Sequence, residues 1–288
     1  MSSSQNSSPT KDPQSHSAEV KPYVRMATLE EAETLSAIAG RSFIHDPVFN
    51  YFNQIDHLLD PTVDEKEVEE RRVWFSFLTK ACFLVGGRVT VVVDPNENDK
   101  IVSAALWLPP KKRLAVWMVP TLFRAGVIPV LKNWGLTGLL VRDFPMAYLG
   151  DCTEVENLFH EQRIVLDYQD TAEKTMETCF KKTKKIGSAH NAWYLQLTFT
   201  DPDYYGKGFM SMLVREAFDH TPEATFVLEA TTPKSRNMYA HLGFQNPTPI
   251  NFGVKKADRN GLNARGEAAL GVEIWAMAKV RDKFPSYE

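Results

Sequence analysis

The chain predicts an α/β fold, and three observations carry that reading. Arg88 to Val93 and Ile101 to Leu108 are two apolar, β-branched runs joined by Asp94-Pro95 and the turn residues Asn96 to Asp99, which is the pattern of a hairpin. Trp193, Leu195, Leu197 and Phe199 alternate with Tyr194, Gln196 and Thr198 at the period of a strand, and a glycine loop and a helix-spaced apolar series follow at once. Beyond that unit the pattern runs strand, helix, strand, strand to the end. With 288 residues, 43% of them hydrophobic, the chain is long enough to bury a substantial core.

The elements follow in order. Residues 1–20 are Ser-rich and polar and read as a disordered tail, with a single domain over 21–288. Tyr23 to Ala27 is a short strand. Thr28 and Glu31 form a capping box that opens a helix through Leu35, Ile38 and Ala39, ended at Asp46-Pro47. The charge run Asp64 to Arg72 reads as the solvated face of a second helix that continues through Val73, Phe77 and Cys82. After the hairpin, residues 109–150 are apolar but punctuated by Pro and Gly, which predicts a helical insertion that covers a core or lines a pocket. A further helix is expected between Thr171 and Lys185, where Ala172, Met176, Cys179 and Phe180 recur at helical spacing. The strand from Trp193 stops at Asp201-Pro202, and its alternation puts one face on a core and one on a cleft. Met210, Leu213, Val214, Ala217 and Phe218 fit a helix, Ala224 to Ala230 a strand, and Ser235 to Leu242 a helix stopped by Gly243. Ile250 to Lys255 and Gly271 to Val280 are the last strands, with Asp258 to Glu267 between them expected as a mobile loop.

Composition narrows the function. Lys plus Arg total 33 against 36 Asp plus Glu, a formal charge of −3, which gives no reason to expect a nucleic-acid partner. Cysteines at 82, 152 and 179 share no close spacing and cannot pair completely, which suits a reducing, cytoplasmic setting. The richest apolar stretch, Leu114 to Val141, is broken by Pro120, Arg124, Pro129 and Lys132, so no membrane span is expected. His160-Glu161 lacks the second histidine of a zinc helix, and no metal is expected.

The segment Asp201 to Ser211 carries the chemistry. A strand, a glycine loop and a helix in that order aim successive backbone N–H groups and the positive end of a helix dipole at one point, which is an anion site suited to phosphate. Gly206 and Gly208 remove side chains where a ligand would approach. A Walker loop is excluded, because Lys207 is followed by Gly208 rather than Ser or Thr. An NAD(P)-binding Rossmann fingerprint is approximated by Gly206, Gly208 and Ser211 with Glu229 some twenty residues on, but the loop is too long before its first glycine and too little chain follows.

Pro202-Asp203-Tyr204-Tyr205-Gly206-Lys207-Gly208-Phe209-Met210 resembles the pyrophosphate loop of the GNAT superfamily of N-acetyltransferases. Leu228-Glu229-Ala230 followed by Asn237-Met238-Tyr239-Ala240-His241-Leu242-Gly243-Phe244 is similar to that family's next strand and its Tyr-x-x-x-Gly-Phe helix end. The best local resemblance is to puromycin N-acetyltransferase-like members, and it covers most of the chain after residue 20. Tyr205 stands where Gln or Arg is usual, Met210 where a small residue is usual, and Ser235 where relatives often have Asn.

The resemblance implies a GNAT-type mixed, largely antiparallel twisted sheet flanked by helices. It implies acetyl-CoA as co-substrate and a small-molecule amine as acceptor, with direct transfer and no acyl-enzyme. The pyrophosphate would rest on the N–H groups of Tyr205, Gly206, Lys207, Gly208, Phe209, Met210 and Ser211, with Ser235 a further contact. The pantetheine arm would run between the strand holding Leu197, Thr198 and Phe199 and the strand Thr225 to Glu229. Tyr239 is then the candidate acid for the departing thiolate and Glu229 the candidate base for the amine. His190 is a candidate water-mediated relay, and Trp107, Trp117, Phe123 and Trp134 are candidates for an apolar acceptor pocket. The alternatives are a non-catalytic acyl-CoA-binding or regulatory protein of the same fold, or an NAD(P)-binding protein.

Overall fold

The computed structural model describes residues 20–114, 118–134, 168, 171–184 and 186–280. Seven strands form one sheet: β1 (Tyr23–Met26), β2 (Arg88–Asp94), β3 (Lys100–Leu108), β4 (Trp193–Thr200), β5 (Phe226–Ala230), β6 (Gln245–Phe252) and β7 (Val272–Lys279), in the order β1-β2-β3-β4-β5-β7-β6. Every neighbouring pair is antiparallel except β4 and β5, which run parallel. A single parallel pair cannot make a doubly wound dinucleotide sheet, so the NAD(P) alternative does not describe this loop.

Helices cover both faces. On one face lie α1 (Ala32–Ser42) and α3 (Glu65–Leu84), whose Leu35, Ala39, Phe75 and Cys82 pack with Val91, Leu106, Leu197 and Phe199. Beside them α2 (Pro47–Asn53) and a helix over residues 171–183, here α6, cover β5–β7 through Val48, Met176, Phe180, Val227 and Ile274. The opposite face is covered by α7 (Phe209–His220) and α8 (Pro233–His241), which bury Leu213, Val214 and Tyr239 against Trp107, Leu195, Phe226 and Met277. Between β3 and β4 the chain forms α4 (Val119–Arg124) and α5 (Val127–Trp134), so the predicted insertion is helical over these two spans; residues 109–114 form a turn and irregular chain, and residues 115–117 and 135–150 lie outside the described residues.

Local chemistry explains the boundaries. Asn98 and Asp99 turn the hairpin with φ of 55° and 56°, a region in which Asn and Asp are enriched. The Thr28 N–H donates to Glu31, completing the predicted box at 2.9 Å. Asp46-Pro47 starts a helix rather than only ending one: the Asp46 carboxylate accepts from the Val48 N–H at 2.9 Å, and Pro47 occupies the first turn, where no N–H is needed. Strand β6 begins at Gln245, five residues before the predicted Ile250, because it is an edge strand, where Pro247 and Pro249 are tolerated.

Two expectations are corrected. The charge run on α3 is not wholly solvated. Arg71 is 1% exposed and donates to the carbonyls of Phe43 (3.1 Å) and Ile44 (2.7 Å) and to Asn50 Oδ1, and burial lowers its pKa to about 10. The 258–267 segment, expected as a mobile loop, is anchored to α2 and the chain just after it: Asn50 Nδ2 donates to the Asn260 carbonyl at 2.9 Å and the Asn263 N–H to the Ile55 carbonyl at 2.9 Å. A Cβ on Gly261 would meet the Pro47 carbonyl oxygen at 2.0 Å, which is why glycine sits there.

Candidate active site

Strand β4 organises the site through two irregularities. Against β3 the register moves from Leu106↔Leu197 to Trp107↔Leu195, so Gln196 is an extra residue and the strand is bulged. The bulge changes faces: Leu197 and Phe199 lie under α1 and α3, whereas Leu195 lies under α7. The simple alternation expected from the sequence therefore holds only on each side of Gln196. Against β5 the pairing covers three rows, Trp193↔Phe226, Tyr194↔Val227 and Leu195↔Leu228, and then stops. The remaining length of β4, including Thr198, lines a cleft of about 1820 Å³, wider than an ordinary small-ligand pocket.

The glycine loop lies at the far end of β4. Asp201 is buried, accepts from the Asp203 N–H at 3.2 Å and pairs with Arg41 at 3.1 Å, which closes the strand in a single 3-10 turn over Pro202–Tyr204. Gly206 and Gly208 both take positive φ, 82° and 79°. Gly208 precedes α7, whose first backbone bond runs from the Met212 N–H to Gly208 at 3.2 Å. The N–H groups of Phe209, Met210 and Ser211 therefore have no intrahelical partner. Those of Gly206, Lys207 and Gly208 make no hydrogen bond among the described residues.

Most of the sequence-predicted cofactor residues come together here. Tyr205, Gly206, Gly208, Phe209, Met210, Ser211 and Ser235 line the same cleft as Leu197, Thr198 and Phe199. The Phe209 ring is in the core, so only its backbone is offered to a ligand. Lys207 Nζ lies 4.4 Å over the Tyr204 ring, and Tyr205 reaches Ser42 on α1 at 3.3 Å. The Ser235 hydroxyl is engaged in a capping box with Thr232, accepting from its N–H at 3.1 Å.

The two candidate catalytic residues also line the cleft. Tyr239 is buried against Phe244, its hydroxyl has no hydrogen-bond partner among the described residues, and burial raises its pKa. Glu229 sits where β5 leaves β4. Burial raises its pKa, against the opposing pull of Tyr194, Arg113 and Tyr168. Tyr194 donates to Glu229 Oε2, and Tyr168 approaches the same oxygen at 3.4 Å. Arg113 lies 4.8 Å over the Tyr194 ring and is tied by hydrogen bonds to the carbonyls of Ala189 (3.1 Å) and Ala192 (3.2 Å).

Other expectations fare differently. Trp107 is fully buried beneath α7, stacked edge-on with Phe226, and is a core residue rather than a pocket wall. Phe123 is 56% exposed, and Trp117 and the Trp134 side chain lie outside the described residues. His190 is exposed at the cleft mouth. The aromatic residues that do line the cleft include Phe43, Phe49, Phe52, Trp74 and Tyr168. Sequence reasoning passed over Tyr168, Arg113 and Asp46. Asp46 accepts from the Thr231 hydroxyl at 2.6 Å and so ties the α1–α2 turn to the end of β5. The available signal was Tyr194, a polar-edged aromatic on the cleft-facing set of β4; nothing local marked its partners.

No protein-family model matches the chain, and no curated protein sequence does. Among solved structures, a "histone acetyltransferase HPA2 and related acetyltransferase" of Corynebacterium glutamicum is 18% identical over 93% of this chain and 99% of its own, with a TM-score of 0.51. A mosquito arylalkylamine N-acetyltransferase like 5b is 15% identical over 90% of this chain and 100% of its own, with a TM-score of 0.48. A Drosophila melanogaster polyamine N-acetyltransferase is 12% identical over 90% and 100%, with a TM-score of 0.44. At such identities the first likeness speaks for architecture, and the mixed, largely antiparallel seven-stranded sheet flanked by helices has the GNAT fold.

Proposed function

We propose that the protein is an acetyl-CoA-dependent N-acetyltransferase that transfers an acetyl group directly to the amine of a small molecule. The observation that carries this reading is the opening of β4 from β5 after Leu195↔Leu228, with a loop of unpaired backbone N–H groups at its far end. Those residues suit the implied co-substrate. The loop offers N–H donors and a helix N-terminus to a pyrophosphate, and the opened strand edge offers backbone groups to an amide-bearing arm. The acetyltransferase names of the proteins with similar structures accord with it.

Acetyl-CoA supplies the acetyl group as a thioester. For the acceptor, an ammonium group of ordinary pKa about 10 must lose a proton before its lone pair attacks. Glu229 takes that proton; the new C–N bond forms as the C–S bond breaks. The electron pair leaves with sulfur and takes the Tyr239 proton. The second proton of the former amine, acidic once nitrogen is acylated, restores the Tyr239 phenol through solvent, and Glu229 releases its proton to water. Burial keeps the Tyr239 proton in place through neutral pH, so the donor is present when the charge develops. No cysteine nucleophile is required: Cys82 is buried with its thiol pushed up to about 12, and burial also raises Cys179.

The test is acetyl-CoA turnover by free-thiol release against a panel of aromatic, aliphatic and polycationic amines, with calorimetric titration of acetyl-CoA alongside. Amine-dependent thiol release is the expected result. Binding without turnover on any amine would favour the non-catalytic reading, and no binding would remove the proposal.

A further inference from the structure

The Glu229 carboxylate is held from one side only. Tyr194 on β4 and Tyr168 both direct their hydroxyls at Oε2, while Oε1 has no hydrogen-bond partner among the described residues and Glu229 lines the cleft. The parallel register explains the geometry. Tyr194 pairs with Val227, and Glu229 lies two residues further on the same face of β5, at the point where the strands separate. The Tyr194 ring is in turn backed by the Arg113 guanidinium at 4.8 Å.

We propose that Tyr194 is a positioning residue for the acceptor amine: by occupying Glu229 Oε2 it fixes the carboxylate with Oε1 turned to the cleft, where Oε1 takes the acceptor's proton. This rests on the transferase reading above. In the step, the N–H bond of the ammonium breaks, its proton goes to Oε1, and its electron pair stays on nitrogen for the attack. The Tyr194 proton does not transfer; burial raises the Tyr194 pKa, and the hydroxyl stays a donor throughout. A hydrogen bond to the ionised form holds a carboxylate down. It therefore opposes the burial that raises the Glu229 pKa and favours the ionised, proton-accepting form. The other groups facing this carboxylate are Arg113 and Tyr168, with Asp46 beyond Tyr168 and Glu173 beyond Arg113.

The direct readout is infrared titration of the full chain, following the carboxylic acid band that E229Q removes. Y194F keeps the ring under Arg113 and deletes only the donor, so the midpoint of that band should rise by about one pH unit. Y168F, at the longer distance, should raise it less. If the enzyme turns over an amine in the panel, the acid limb of kcat/KM for Y194F should move up by the same amount, with rates recovering at high pH. A purely structural role would lower kcat/KM at every pH. An unchanged or lowered Glu229 midpoint in Y194F overturns the proposal. Should Y194F fail to fold, 3-fluorotyrosine at position 194, a stronger donor, must lower the midpoint, and no movement there overturns it equally. Failure of acetyl-CoA to bind the wild-type chain in calorimetry would instead remove the transferase reading, a result separate from the infrared shift.

Discussion

Replacing Gly208 by alanine separates the two things this residue does. Its φ is +79°, and an ideal Cβ there meets no atom within 4 Å, so the substitution creates no clash with the protein itself. What remains is backbone strain, about 1–2 kcal/mol for an L-residue held in the left-handed region. In a domain of this size that corresponds to a fall in Tm of roughly 2–8 °C. If the loop instead relaxes to negative φ, the N–H groups at the head of α7 are re-aimed. A hydrogen bond to a charged group contributes about 1.5–3 kcal/mol, so losing one should weaken acetyl-CoA binding about ten- to a hundredfold. Calorimetry with acetyl-CoA and with pantetheine, which lacks the pyrophosphate, isolates the cause: the first affinity should fall and the second should not. A lowered Tm with acetyl-CoA affinity within about twofold of wild type would show that Gly208 serves the turn and not the ligand, and would refute the anion-site reasoning.

Three further outcomes are expected. Tyr239→Phe should lower kcat by about 10²–10⁴ with acetyl-CoA affinity retained, because it deletes one proton donor and keeps the ring packed on Phe244; stopped-flow thiol release measures it. Arg71→Met should destabilise the fold by about 2–6 kcal/mol in urea unfolding, since it leaves two buried acceptors, the Ile44 carbonyl and Asn50 Oδ1, without their donor. Glu33→Gln should matter only above acid pH. Lys80, Ser76 and Arg72 hold Glu33 down to about 2, below its unfolded value of about 4.3, so its contribution is complete above about pH 4.3 and lost as pH falls toward 2. Its side chain is 54% exposed, which limits the difference at neutral pH to at most about 1 kcal/mol, and the wild-type and variant stabilities should converge near pH 2.

The sequence made the fold legible where local chemistry and tertiary role agree. The hairpin turn at Asn98-Asp99, the box at Thr28–Glu31 and the strand–loop–helix around Gly206 and Gly208 are each written in a few adjacent residues, and each is present. What could not be read are features made by residues far apart in the chain. Arg71 sits in a run of charged residues, and only the approach of the α1–α2 turn gives its guanidinium carbonyls to bind. Residues 258–267 look loose because their anchors, Pro47, Asn50 and Ile55, lie two hundred residues earlier. Tyr168 and Arg113 reach Glu229 from outside both motifs, so the carboxylate was visible and its environment was not.

The bulge at Gln196 shows why the candidate site was only half readable. A period of two predicts that Leu195 and Leu197 share a face, and one extra residue between them sends Leu195 to the α7 side and Leu197 to the α1 side. The same irregular stretch is where β4 parts from β5. Backbone N–H and C=O groups along that parting have lost their ladder partners, and a buried unpaired group costs about 1–3 kcal/mol. The structure meets this by opening the parting onto a cleft, where water reaches the groups in the free protein. A ligand with amides along its length can replace that water on both edges at once, and its anionic end would then meet the unpaired N–H groups from Gly206 to Ser211. An extended, amide-bearing, phosphorylated co-substrate thus answers two separate deficits of backbone hydrogen bonding, whereas a compact nucleotide would satisfy only the second. Comparing the calorimetric affinities of CoA, pantetheine and adenosine 3′,5′-bisphosphate separates these contributions: both fragments should bind, each far more weakly than CoA.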